Sequence, residues 1–225
     1  MMNVRSGLKK IGRPSRKERE TGQRCREILG VAERLFSRKG FFKTSMAEIA
    51  HDAEFSVGSL YQFFVSKDAI YVALMEEKFE EYLALVQGEV LAAKGVLEKV
   101  DALIATKVRF FEKHRSFFRI YVTEWGGGEC SVKGALGANI STLRDDYLAL
   151  ITSTMSAGIR SRVLKKMDAQ EMAHLFDGMM NAVIHRWIVS AGDESLAGKA
   201  EVIRDVFLGG VLRQTGARGG DGKVD

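Results

Sequence analysis

A single proline, Pro14, stands in the whole chain, so from Ser15 onward no residue forces a helix to break. Into that open stretch the sequence writes helical spacing. Ile28, Ala32, Leu35 and Phe36 fall at i, i+4, i+7 and i+8, one apolar stripe, with Arg26, Arg34 and Arg38 off it. The pattern predicts an all-α protein, and apolar residues at 46% of 225 supply enough material for its core. The longest apolar windows are cut by Lys, Glu or Arg, which argues against a membrane span. No apolar N-terminal segment resembles a signal peptide, and two cysteines make neither a disulfide framework nor a four-ligand zinc site. A reduced, cytoplasmic protein is the expectation.

Turn chemistry subdivides the N-terminal third. Lys39-Gly40 ends the first stripe, with Gly40 suited to the left-handed position after a helix. Ser45 followed by Glu48 matches a capping box for a short helix whose inward face is Met46, Ile49, Ala50 and Ala53. Ser56 caps a third helix, in which Leu60 and Phe64 point inward. Three short helices with a tight turn between the second and third describe a helix-turn-helix. With Leu60 and Phe64 facing the core, Val57, Gly58, Ser59, Tyr61 and Gln62 fall wholly or partly on other faces. Small residues there let a backbone approach base edges in a major groove. Ser59 and Gln62 offer hydrogen-bonding groups for bases, Val57 a methyl contact, and Tyr61 and Lys67 partners for phosphate.

Charge agrees with this placement. Residues 1–44 carry thirteen Lys/Arg against four Asp/Glu, a balance of +9 in a chain whose total is +5. A basic head on a mildly acidic body suits contact with a polyanion at one end. Within the head, Lys9-Lys10-Ile11-Gly12-Arg13-Pro14-Ser15-Arg16-Lys17 resembles an AT-hook, and Arg13 is its candidate for the minor groove.

The stretch TSMAEIAHDAEFSVGSLYQFFVSKDAIY resembles the DNA-binding domain of the tetracycline-repressor (TetR) family of bacterial transcription factors, most closely from about Arg24 to Tyr71. Two departures stand out: Glu54 occupies the usual turn glycine, and Val65 replaces a common proline. The resemblance implies DNA contacts at Thr44, Ser56, Val57, Ser59, Tyr61, Gln62 and Lys67, with Ser45 and Gly58 in the same site. It also implies a homodimer on a palindromic double-stranded operator, a small-molecule effector, no cofactor and no catalysis. The expected organisation is a basic arm over 1–20, a helix-turn-helix domain over 21–66, a ligand-binding and dimerisation domain over 67–214 and a disordered tail over 215–225.

The body reads as further helices, with breaks near Gly88, Gly95, Gly126–Gly128 and Gly192. The last two carry wide apolar surfaces, and Met180, Ile184, Trp187, Ile188, Ile203, Phe207 and Val211 are the expected dimer interface. Candidates for a ligand pocket are Phe110, Phe111, His114, Phe117, Phe118, Tyr121, Trp125, Met179, Asn181 and His185. A shared metal at His174 and His185 fails on distance, since eleven residues of helix span roughly 16 Å. No phosphate loop, nucleophile elbow or close Cys/His pair suggests an enzyme. The principal functional reading is a repressor released by its effector. The alternative is a thiol-based redox sensor using Cys130, or Cys25 activated by Arg24 and Arg26.

Overall fold

A computed structural model describes residues 15–125, 138–190 and 194–213, with helix throughout apart from turns and one isolated antiparallel bridge, Leu164 to Leu212. The elements run α1 (Arg16–Lys39), α2 (Met46–Asp52), α3 (Val57–Phe63), α4 (Lys67–Ala92), α5 (Val96–Lys113), α6 (Arg115–Trp125), α7 (Ala138–Arg160), α8 (Ala169–Val189) and, after a 3-10 turn at Leu196–Lys199, α9 (Ala200–Val211). Arg13, Cys130 and the tail lie outside the described residues, as do the glycines at 126–128 and 192. α1 already begins at Arg16, inside the segment expected to be a basic arm.

The short head helices form because their ends are satisfied. Gly40 adopts φ 87°, and Ser45 and Glu48 close a reciprocal capping box. Ser56 accepts from the Ser59 amide to start α3, and Ser66 accepts from the Ala69 amide to start α4. α1 contributes Ile28, Ala32, Leu35 and Phe36 to one buried core with Ile49 and Ala50 of α2 and Leu60 of α3. Phe64 is the half-buried residue that ends α3 rather than a residue within it. Truncating a fully buried anchor such as Leu60 to alanine costs about 2–5 kcal/mol.

α4 leaves the head and runs without interruption through Gly88 into the body, so the expected break there does not occur. A lone glycine weakens a helix by only about 1 kcal/mol, and α4 is held by buried Tyr82, Leu83, Val86 and Val90 on both sides of it. Aromatic contacts join head to body: Tyr71 lies 5.9 Å from Phe36 and stacks on Phe117 of α6 at 5.2 Å. At the far end Lys165 N–H donates to Val211 and Arg213 N–H to Val163, tying the end of α9 to the turn after α7. That turn sits hard against Gly158, where an added Cβ would come within 2.6 Å of Leu164 Cδ1.

Candidate functional site

The first candidate surface is the outer face of α3. Leu60 is wholly buried, which turns Val57, Gly58, Tyr61 and Gln62 outward; Tyr61 is 49% exposed. Nothing lies within 4 Å of a Cβ built on Gly58, so the helix backbone is open to a close partner there. Ser45 and Ser56 are exposed caps. Ser59 is half-buried, and its hydroxyl pairs with that of Ser56 at 2.8 Å.

Two of the expected contact residues are occupied internally. Thr44 is only 2% exposed, and its hydroxyl donates to Gly40 O at 2.8 Å, closing the turn after α1. The Lys67 ammonium donates to Phe41 O and Thr44 O, both at 2.7 Å, and lies 4.3 Å from the centre of the Phe41 ring. Lys67 therefore ties α4 to the α1–α2 turn. The turn carbonyls hold the ammonium by charge-assisted hydrogen bonds.

The second candidate is a cavity of about 430 Å³ in the body, bounded by α4, α5, α6, α7 and α8. Its apolar wall includes Phe79, Phe111, Phe118, Leu143 and Ile188. At one side stands a buried polar group: Lys107 Nζ donates to Asp177 Oδ1 at 2.5 Å and to Asn181 Oδ1 at 2.7 Å, and Asn181 Nδ2 donates to Asp177 Oδ2 at 2.8 Å. Burial lowers the Lys107 pKa, as does the nearby Arg144 charge, while Asp177 opposes both. Tyr82 and Tyr147 border the same group, their ring centres 5.3 Å apart. Burial raises both phenol pKa values, and the Asp177 charge adds to the effect.

Of the expected pocket residues, the structure brings Phe111, Phe118, Asn181 and His185 to the cavity. Phe110 packs behind the wall residue Tyr82 at 5.1 Å, Phe117 on Tyr71, and Met179 lies half-buried against the core, none of them lining the cavity. His114 belongs to a charged joint instead. Its Nδ1 is 3.8 Å from Glu33 Oε1 of α1 and its Nε2 is 3.7 Å from Glu81 Oε1 of α4, with Lys78 Nζ 3.1 Å from Glu33 Oε2. The side chains of Tyr121 and Trp125 lie outside the described residues. Lys107, Arg144 and Asp177 were not among the expected residues. The available signal was a charge in a core position: Lys107 continues the row Val100, Leu103 and Ile104, and Asp177 stands between Phe176 and Met180.

The expected dimer residues face inward within the single subunit. Met180, Ile184, Trp187, Ile188, Ile203, Phe207 and Val211 all lie in the core of the subunit itself; Phe176 and Phe207, for instance, pack at 4.5 Å. The largest apolar row of each helix turns inward because the subunit has its own core to fill. A neighbouring row is left outside: Leu175 at 64%, Val202 at 58% and Val206 at 63% exposed. The redox alternative loses support at Cys25, where burial raises the thiol pKa and outweighs the opposing charge of Arg26. No cluster of three metal-ligating side chains occurs among the described residues, and none of their helices is long and apolar enough to cross a membrane.

Comparisons with known proteins meet this geometry at both ends of the chain. The signature of bacterial regulatory proteins of the tetR family matches residues 28–74, and that of the tetracyclin repressor-like C-terminal domain matches residues 93–211, more than half of the chain. The fatty acid metabolism regulator protein of Bacillus subtilis (strain 168) is 16% identical over 186 residues, 82% of this chain and 94% of the relative. The HTH-type transcriptional repressor KstR2 of Rhodococcus jostii (strain RHA1) is 26% identical over 196 residues, 85% of this chain and 92% of the relative. Among solved structures, FadR from Bacillus subtilis in complex with stearoyl-CoA is similar in fold, with a TM-score of 0.70 at 16% identity over 82% of this chain and 98% of that one. The chain belongs to the TetR family of bacterial transcriptional regulators, helix-turn-helix DNA-binding proteins that are not enzymes.

Proposed function

We propose that this protein is a homodimeric, cytoplasmic repressor whose two heads hold a palindromic operator and which a small amphipathic molecule releases by filling the body cavity. The observation that carries this reading is the double use of α4. Its first turns seat the head through Lys67, Ile70 and Tyr71, and its middle lines the cavity with Met75, Phe79 and Tyr82. A ligand that favours one setting of α4 over another must shift the spacing of the heads, and DNA affinity changes by the same factor as ligand affinity. Val57, Gly58, Tyr61 and Gln62 form the proposed groove-facing surface, with Ser45, Ser56 and Ser59 at its edge. The exposed row Leu175, Val202 and Val206 is the proposed contact between subunits.

The relatives suggest where to begin. Stearoyl-CoA, the ligand named for the Bacillus subtilis structure, is a reasonable first probe. Fluorescence anisotropy of the full chain on an operator duplex should show affinity falling as stearoyl-CoA is added. Tight stearoyl-CoA binding that leaves DNA affinity unchanged would overturn the coupling through α4.

A further inference from the structure

We infer that the effector carries an anionic group on an apolar body, and that Arg144 is the residue that reads the anion. The inference rests on the cavity being the effector site and goes further by assigning the ligand's charge. It follows from an inventory of donors and acceptors on the cavity wall.

Asp177 is engaged at both oxygens: Oδ1 accepts from Lys107 and Oδ2 from Asn181. Lys107 directs two N–H bonds at Asp177 and Asn181, and its ammonium lies 5.2 Å from the centre of the Tyr147 ring. This pair is closed and carries no net charge. A buried pair so well satisfied neither attracts a ligand ion nor releases one cheaply.

Arg144 differs. It lines the same cavity, is exposed, and forms no ion pair among the described residues. Its guanidinium offers five N–H donors and no acceptor. Asn181 has one N–H left after donating to Asp177, and His185 stands one turn further along α8. Arg144, Asn181 and His185 are both wall residues and solvent-exposed, which marks the opening of the cavity between α7 and α8.

The unfilled capacity at that opening is donor capacity and positive charge, while the interior beyond it is aromatic and aliphatic. A carboxylate or phosphate at the opening with a hydrocarbon body inside satisfies both. A cation would find no uncommitted carboxylate on the wall, and a plain hydrocarbon would leave the arginine unused.

The test is calorimetric titration of the full chain with three probes sharing one alkyl tail: decanoate, decanol and decanoyl-coenzyme A. A charge-assisted hydrogen bond should make decanoate bind about tenfold tighter than decanol. Arg144→Gln should bring decanoate to the level of decanol, and Arg144→Lys should restore part of the difference because it keeps the charge without the fork. If decanoyl-coenzyme A is instead the tight ligand and Arg144→Gln weakens it, the anion is the nucleotide phosphate, which supports the inference equally. A preference for an anion that survives in Arg144→Gln overturns the assignment to Arg144. Equal binding of all three probes overturns the anionic effector and leaves the cavity reading standing. Binding of none overturns both.

Discussion

Glu54 stands at φ 60° in the turn between α2 and α3, a left-handed conformation that suits glycine. Its backbone is held there because its amide donates to His51 O and the next amide, of Phe55, donates to Ala50 O. Glu54→Gly should therefore raise stability by about 1 kcal/mol, read as a higher midpoint in urea unfolding with an unchanged slope. An unaltered or lower midpoint would mean the turn is not strained. The Lys107–Asp177 pair gives an opposite case. Asp177→Ala leaves a buried ammonium without its counter-charge and should cost about 3–5 kcal/mol, whereas Lys107→Met combined with Asp177→Leu should recover most of that. If the double variant is as unstable as the single, the loss comes from packing and not from charge.

Between elements, the joint at His114 links α1 to α4 and to the α5–α6 corner, so its charges bind head to body. The His114 ring, and after it Lys78, holds the Glu33 carboxyl below its ordinary value of 4.5 against the opposing effect of burial. A lowered carboxylate pKa adds stability that is present above the unfolded value and is lost as pH falls through the folded one. Melting temperature should fall on acidification below about pH 4.5, and Glu33→Gln should flatten that fall; an equally steep fall in the variant would remove Glu33 from the joint. The helix ends were legible in the sequence because their signals are local: Ser45 with Glu48, and Ser56, each name a cap that needs no knowledge of the fold. The continuity of α4 through Gly88 was not, since neighbours on both sides of the glycine decide it. Nor could spacing alone tell which apolar row of α8 turns inward. Met180 and Ile184 share a helix with Leu175, and the packing of α5, α6, α7 and α9 separates buried from exposed. Lys107 and Asp177 escaped for a related reason: each looks like an ordinary surface charge until its partner on another helix is known.

At the scale of the whole molecule, the exposed apolar row on α8 and α9 is the proposed contact between subunits, which a second copy would cover through a twofold axis. Val206→Asp should give monomers by sedimentation with helicity unchanged, and those monomers should bind DNA more weakly. Ile184→Asp, at a buried position, should instead unfold the subunit. If Val206→Asp remains dimeric, another face mediates assembly. Paired heads set about 34 Å apart would meet successive major grooves on one side of a duplex. The most direct measurement is selection of duplexes from a randomised library by the full chain, followed by sequencing. The account predicts an inverted repeat whose half-sites are centred about one helical turn apart, with base preferences that change in Gln62→Ala. Recovery of no common sequence, or of preferences that Gln62→Ala leaves untouched, would contradict it.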